Sequence, residues 1–159
     1  MVALVLPAGQ YEPSYREARD EQGDPLVESF SELLVRFANN RAGIVGAGKV
    51  ASTTLWLVDG DVYLGRVGIR HELNAALRVF GGHIGYDIRP SRRGQGLGTE
   101  LLRLALPHAR ALGIDPAMLT CDAENVASWR MMERCGGTRE STFTYEGTLR
   151  YRYWLPTTS

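Results

Sequence analysis

The chain has 159 residues, 44% of them hydrophobic and 23% charged, and a formal net charge of zero. One domain of this length buries about two-thirds of the surface its unfolded chain exposes, so no metal or disulfide is needed to hold it, and the balanced charge removes any general argument for nucleic acid. No apolar run approaches the roughly 20 residues that span a bilayer, and two cysteines, Cys121 and Cys135, make neither a disulfide framework nor a zinc site.

Met1 to Pro7 is apolar but brief, without a basic start or a small-residue cleavage site, and reads as a first strand of a cytoplasmic protein. From Glu12 to Asn40 the composition turns acidic. Tyr15, Ala18, Leu26, Phe30, Leu33, Leu34 and Phe37 recur at helical spacing, giving two helices broken near Gly23-Asp24-Pro25. The carboxylates of this stretch outnumber its arginines, whereas Arg89, Arg92, Arg93, Arg103 and Arg110 cluster later, so the neutral total hides two halves of opposite sign. The acidic half is read as a solvated helix face, or alternatively as a rim that attracts a cationic amine.

Thr53 to Val58 and Val62 to Ile69 are strand-forming runs joined at Asp59-Gly60, the signature of a hairpin. A connector from His71 leads to Phe80-Gly81-Gly82. His83 to Ile88 then forms a strand that stops at Arg89-Pro90. A helix follows from about Leu97 to Leu112, with Gly113 as its stop and Pro107 inside it, where a kink or an early break near Leu104 is expected. His108 is read as a packed or edge histidine. Ala117 to Cys121 is a strand, Val126 to Arg134 a helix, and Glu140 to Tyr145 with Leu149 to Trp154 a closing hairpin around Glu146-Gly147.

Between the strand that ends at Ile88 and the helix that starts at Leu97 lies Arg92-Arg93-Gly94-Gln95-Gly96-Leu97-Gly98. Glycine permits positive φ and close approach of a ligand, and the first-turn amides of Gly96, Leu97, Gly98 and Thr99 lack intrahelical acceptors. Those donors and the helix dipole favour an anion. Crowding of Arg89, Arg92 and Arg93 also asks for an anionic partner. A dinucleotide fingerprint starting at Gly94 fails because Thr99 stands where glycine is required, and a P-loop fails for want of G-K-[ST].

The form that does fit is [RQ]-x-x-G-x-[GA], with Arg93, Gly96 and Gly98 in its fixed positions, and here the chain resembles the GNAT-type N-acetyltransferase superfamily. The resemblance extends to the order of elements and so to almost all of residues 1–159. It implies an α/β GNAT-like acyl-CoA N-acyltransferase fold, a mixed and mostly antiparallel sheet flanked by helices, in a single domain. It also implies acetyl-CoA as cosubstrate, with the pantetheine arm along Ile88 and its neighbours, the phosphates on Arg89 and Arg92 to Thr99, and Asn125 and Ser128 where N-x-x-[SA] opens the next helix beside the cofactor. Asn125 equally serves as a plain helix cap. GGHIGYDIRPS further resembles a bacterial branch of predicted acetyltransferases. In the family, strand edges of the kind near Tyr151 to Trp154 pair in a homodimer. Two departures stand out: Met132 occupies the position of the usual general-acid tyrosine, and Gly137 that of an aromatic.

The implied reaction is transfer of acetyl to a primary amine by direct attack, without an acyl-enzyme; the acceptor is not identified. Its base candidates are His83, whose ordinary pKa near 6.5 suits proton abstraction, and Asp122, at a strand end facing the same cleft. The oxyanion falls to a backbone amide near Ile88. No metal is implied. Tyr86 is the nearest substitute for the missing acid. The alternative is a non-catalytic module that binds coenzyme A and responds to it, favoured by the missing tyrosine.

Overall fold

A side-chain cap, a proline and two tight turns set the main boundaries of the chain in the computed structural model, which describes residues 1–158. Strand β1 (Val2–Val5) leads through a 3-10 turn into α1 (Glu12–Glu21), with Pro13 in its first turn, where its missing N–H costs nothing. Helix α2 (Phe30–Arg41) starts where Ser29 accepts a hydrogen bond from the Glu32 amide at 3.1 Å. The hairpin of β2 (Ser52–Asp59) and β3 (Val62–Arg70) turns at Gly60, whose φ is 59°. One short helix, α3 (Ala75–Val79), fills the connector before β4 (Ile84–Ile88). Next come α4 (Leu97–Ala111), β5 (Ala117–Asp122), α5 (Val126–Arg134), and the hairpin β6 (Thr138–Tyr145) and β7 (Thr148–Leu155).

The strands form two sheets, ordered β1-β2-β3-β4 and β5-β7-β6, and every pairing within them is antiparallel. Both faces of the first sheet are covered, because the alternation of β2 sends Leu55 and Leu57 toward α4 and α5, and Trp56 and Val58 toward α1 and α2. On the second face Trp56 is fully buried and stacks on Tyr15 with ring centroids 4.4 Å apart.

Two expectations are corrected here. Helix α4 runs through Pro107 without an early break. The carbonyl left without an N–H partner by that proline is that of Arg103, and both residues are exposed, so solvent can supply the missing bond. His108, expected to be packed or at an edge, is exposed beside Pro107. Second, Tyr151 to Trp154 offer no free strand edge, since β7 lies between β5 and β6 and pairs with both.

Arg89, at the exit of β4, is 2% exposed and ties α1 to the sheet. Its guanidinium donates to Glu17 at 2.7 Å, to both carboxylate oxygens of Glu21, to Ser14 and to the Tyr63 carbonyl. Glu21 also accepts from the Ser91 amide at 3.2 Å. The hydrogen bonds from Arg89, reinforced by Ser91, hold the Glu21 carboxyl down to about 2 from its ordinary value of 4.5. Because the folded value lies below the unfolded one, this contribution to stability is complete above about pH 5 and is lost as the pH falls through 4.5 toward 2. Glu21→Gln should therefore be less stable than the parent at pH 7 and show a flatter decline between pH 5 and pH 2. Urea titrations across that range test this, and parallel curves would exclude a contribution from Glu21.

Candidate active site

Strands β4 and β5 lie side by side, but only one isolated bridge, between Gly82 and Leu119, joins them. At that end the seam is sealed by His83. Its backbone N–H donates to the Met118 carbonyl at 2.7 Å, and its ring Nδ1 accepts from the Met118 N–H at 2.9 Å. Gly82, with φ 63°, is what allows the approach, since a Cβ there would sit 2.3 Å from the Met118 oxygen. Beyond this point β4 pairs with β3 alone. Arg89 donates its amide to Leu64 on the β3 side, so strand alternation turns the amides of Ile88 and Tyr86 toward the open edge.

A cleft of about 700 Å³ lies against that edge. It is lined by Ile88, by Arg92, Arg93 and Gly94 of the loop, by Gly96, Leu97, Gly98 and Thr99 at the start of α4, and by Asn125 and Ser128 of α5. Gly96 precedes α4 with φ 78° and no side-chain cap. The first backbone bond of the helix is donated by Glu100 to the Gly96 carbonyl, which leaves the amides of Leu97, Gly98 and Thr99 unbonded at the helix start. Three arginines, Arg92, Arg93 and Arg134, line the same cleft, which suits a polyanion. Asn125 caps α5 by accepting from the Ser128 amide at 3.3 Å while lining the cleft, so capping does not take it away from the cleft.

Two of the expected residues are not brought to it. Gln95 is exposed and lies outside the lining, and the Arg89 side chain is committed to α1 as described. Arg93 also has partners within the chain, Asp87 at 3.1 Å and the Ile88 carbonyl at 2.9 Å. Crowded arginines were thus a poor indicator of a missing anion here, and two of the three are balanced by carboxylates of the protein. Arg134 escaped the sequence reading. It ends α5 and reaches Thr99 at 3.4 Å, a neighbourhood that depends on how α5 packs against α4.

A second cleft of about 340 Å³ adjoins the first. Tyr86, Asn125 and Ser128 line both, and the hydroxyls of Tyr86 and Ser128 are hydrogen-bonded to each other at the junction. Burial pushes the Tyr86 phenol up to about 12, so it stays protonated and can donate at neutral pH. Asp122 lines this second cleft and is paired with Arg150. His83 does not line it. With Nδ1 accepting an amide proton, the neutral ring carries its own proton on Nε2 and has no lone pair left to act as a base. Burial, with Arg78 and Arg70 nearby, also holds its pKa below the ordinary value. The buried Cys121 thiol is pushed up by burial, which suits an inert core cysteine. Met132, at 1% exposure, is core packing. Among the described residues no cluster of three or more His, Cys, Asp or Glu is placed to hold a metal ion, and no helix is long and apolar enough to cross a membrane.

This geometry agrees with the family whose model matches residues 16–138, described as the acetyltransferase (GNAT) domain. The chain belongs to the GNAT acetyltransferase family, whose members depend on acetyl-CoA. Among curated proteins it is similar to the mycothiol acetyltransferases of Streptomyces scabiei and Streptomyces coelicolor, at 42% and 40% identity over 65 residues, or 41% of this chain. Those residues make up only about a fifth of either relative. In fold it resembles a GNAT acetyltransferase from Streptococcus pneumoniae (TM-score 0.67, 20% identity, 98% of each chain). It also resembles a putative acetyltransferase from Salmonella typhimurium solved with acetyl-CoA (0.65, 13%, 99% and 94%) and mutant forms of the spermidine/spermine N-acetyltransferase of Vibrio cholerae (0.66, 20%, 99% and 95%).

Nothing in the protein lies within 4 Å of a Cβ built on Gly96, so a side chain there occupies only the cleft and the left-handed φ. Gly96→Val should abolish acetyl-CoA binding in calorimetry while the protein remains folded. Arg134→Ala, by removing a charge-assisted contact of about 1.5 to 3 kcal/mol, should weaken it roughly tenfold to a hundredfold. Unchanged affinity in a folded Gly96→Val would place the cofactor elsewhere.

Proposed function

We propose that this domain transfers the acetyl group of acetyl-CoA to a primary amine by direct attack. The observation that carries the proposal is the continuity of the two clefts. One runs from free amides at a helix start along an unpaired strand edge, and it meets the other at Tyr86 and Ser128. Pyrophosphate is assigned to the amides of Leu97 to Thr99 with Arg92 and Arg134, and the pantetheine arm to the β4 edge. That brings the thioester to Tyr86, within reach of an acceptor held in the smaller cleft.

In this reading the amine nitrogen attacks the thioester carbonyl carbon, and the oxyanion is met by an amide on the open edge of β4. As the tetrahedral intermediate collapses the C–S bond breaks and the sulfur departs as thiolate, a tolerable leaving group because a thiol pKa is about 8.5. A lysine-like amine has a pKa of about 10.4 and must shed a proton to attack. Arg70 and Arg150 line the acceptor cleft and favour the neutral amine, whose first proton goes to solvent before attack; the second, on the nitrogen of the tetrahedral intermediate, passes to the Asp122 carboxylate and on to solvent, which leaves a neutral amide. Cys121 takes no part, so no acyl-enzyme forms. The free thiols of Cys121 and Cys135 support a cytoplasmic setting.

Amine-dependent release of coenzyme A thiol is the test, and its absence across a broad amine panel would favour a module that only binds the coenzyme. In a responsive enzyme, Asp122→Asn should lower kcat by about 10² to 10⁴ with acetyl-CoA affinity intact. His83→Gln should stay within about tenfold and keep the acidic limb of the pH profile. Tyr86→Phe should cost less than about tenfold, since thiolate departure needs little acid help. A hundredfold loss in folded His83→Gln, with the acidic limb gone, would return the base to His83.

A further inference from the structure

We infer that the acceptor carries an anionic group, a carboxylate or a phosphate, close to the amine that is acetylated, and that Arg70 reads it. The inference rests on the acetyl-transfer reading and deepens it.

The smaller cleft contains three charged side chains, Arg70, Asp122 and Arg150. Asp122 and Arg150 are paired with each other, and Arg150 is spent further on Thr120 and on the face of Phe80, 4.4 Å from the ring centroid. Arg70 has no carboxylate within ion-pair distance among the described residues. Its Nη1 donates to the carbonyls of Gly81 and Gly82 at 3.2 and 3.0 Å, and its remaining donors have no partner among the described residues. Those two carbonyl bonds fix the guanidinium against the turn that opens the cleft, so its remaining fork is held in place at little entropic cost. A pre-oriented, uncompensated guanidinium half-buried in a small cleft is suited to a carboxylate or phosphate oxygen. The same charge repels an acceptor of several ammonium groups, for which the cleft has no carboxylate that is not already paired.

At 340 Å³ the cleft has room for a small head group such as an amino acid, the end of a peptide or an amino phosphate. An anion on Arg70 would leave the acceptor amine toward Tyr86 and Ser128, the residues shared with the donor cleft.

The test compares matched acceptors with acetyl-CoA: a set of amino acids against their carboxamides, O-phosphoethanolamine against ethanolamine, and spermidine. The expected result is a kcat/KM at least tenfold higher for the anionic member of one of these pairs, the productive pair naming carboxylate or phosphate as the group read. Arg70→Gln should bring that ratio toward one, whereas mere damage to the turn would slow both members equally and leave the ratio unchanged. Spermidine or the neutral members turned over as well as the anionic ones would overturn the inference and leave acetyl transfer standing. If acetyl-CoA binds but no amine releases thiol, acetyl transfer fails, and binding to the protein saturated with coenzyme A decides the inference. N-acetyl amino acids, or N-acetyl-O-phosphoethanolamine, bound at least tenfold more tightly than their neutral counterparts support it, and equal affinities refute it.

Discussion

The double hydrogen bond between His83 and Met118 is the constraint on which the rest of the site depends. It fastens β4 to β5 at one end, through a glycine approach that no side chain would tolerate, and leaves the strands to part at the other. Continued pairing would consume the backbone donors of Ile88 and Tyr86, and the larger cleft would have no strand edge to run along. A complete separation would leave α4 and α5 without a common floor, since both pack on one core that contains Ile84 and Ile88 of β4 and Leu119 and Cys121 of β5. The histidine is therefore better spent as a hinge pin than as a base. Its ring closes the seam only in the tautomer that gives up the Nδ1 proton.

Local features of the fold were legible because they are written in contiguous residues. Asp59-Gly60 and Glu146-Gly147 mark hairpins by turn chemistry alone, and the helices on either side of Gly23-Asp24-Pro25 follow from apolar spacing. The shape of the loop was legible for the same reason, since glycines ahead of a helix set its left-handed turns and leave the first amides free whatever packs around them. What resisted reading was anything decided by register or by the packing of distant elements. Asp122 meets Arg150 because β5 and β7 pair in one register, and β7 lies inside its sheet instead of at the edge. Pro107 passes through α4 unbroken because its face is wet, a property of the packed helix and not of the sequence run.

The charge asymmetry along the chain shows how far such a reading goes and where it fails. The acidic first third and the basic middle are indeed drawn together, but chiefly by the protein itself: Glu17 and Glu21 of α1 receive Arg89. Both glutamates lie on an exposed face of α1, as the solvated-face reading expects, and from that face they hold Arg89. A buried guanidinium needs its full set of acceptors, and with carboxylates on one side and the Tyr63 carbonyl on the other Arg89 has them. Glu21 passes the effect on by holding the Ser91 amide, so that α1 fixes the first turn of the loop that leads to the larger cleft.

Sorting the arginines by partner then separates structure from recognition. Arg89 belongs to α1, Arg93 to Asp87 and Ile88, and Arg150 to Asp122; each has its charge met within the chain. Among the described residues Arg92 and Arg134 line the larger cleft with no carboxylate in ion-pair range, and Arg70 lines the smaller one in the same condition. A protein with zero formal net charge thus keeps arginines without an internal ion pair in two adjoining clefts, a local positive potential that the total charge does not reveal. The larger cleft suits a polyanion, and the smaller one suits the single anionic group inferred above. Between them, at Tyr86 and Ser128, the lining is neutral and hydroxyl-bearing, so the uncharged thioester and amine of the proposed transfer would meet there with the least desolvation cost.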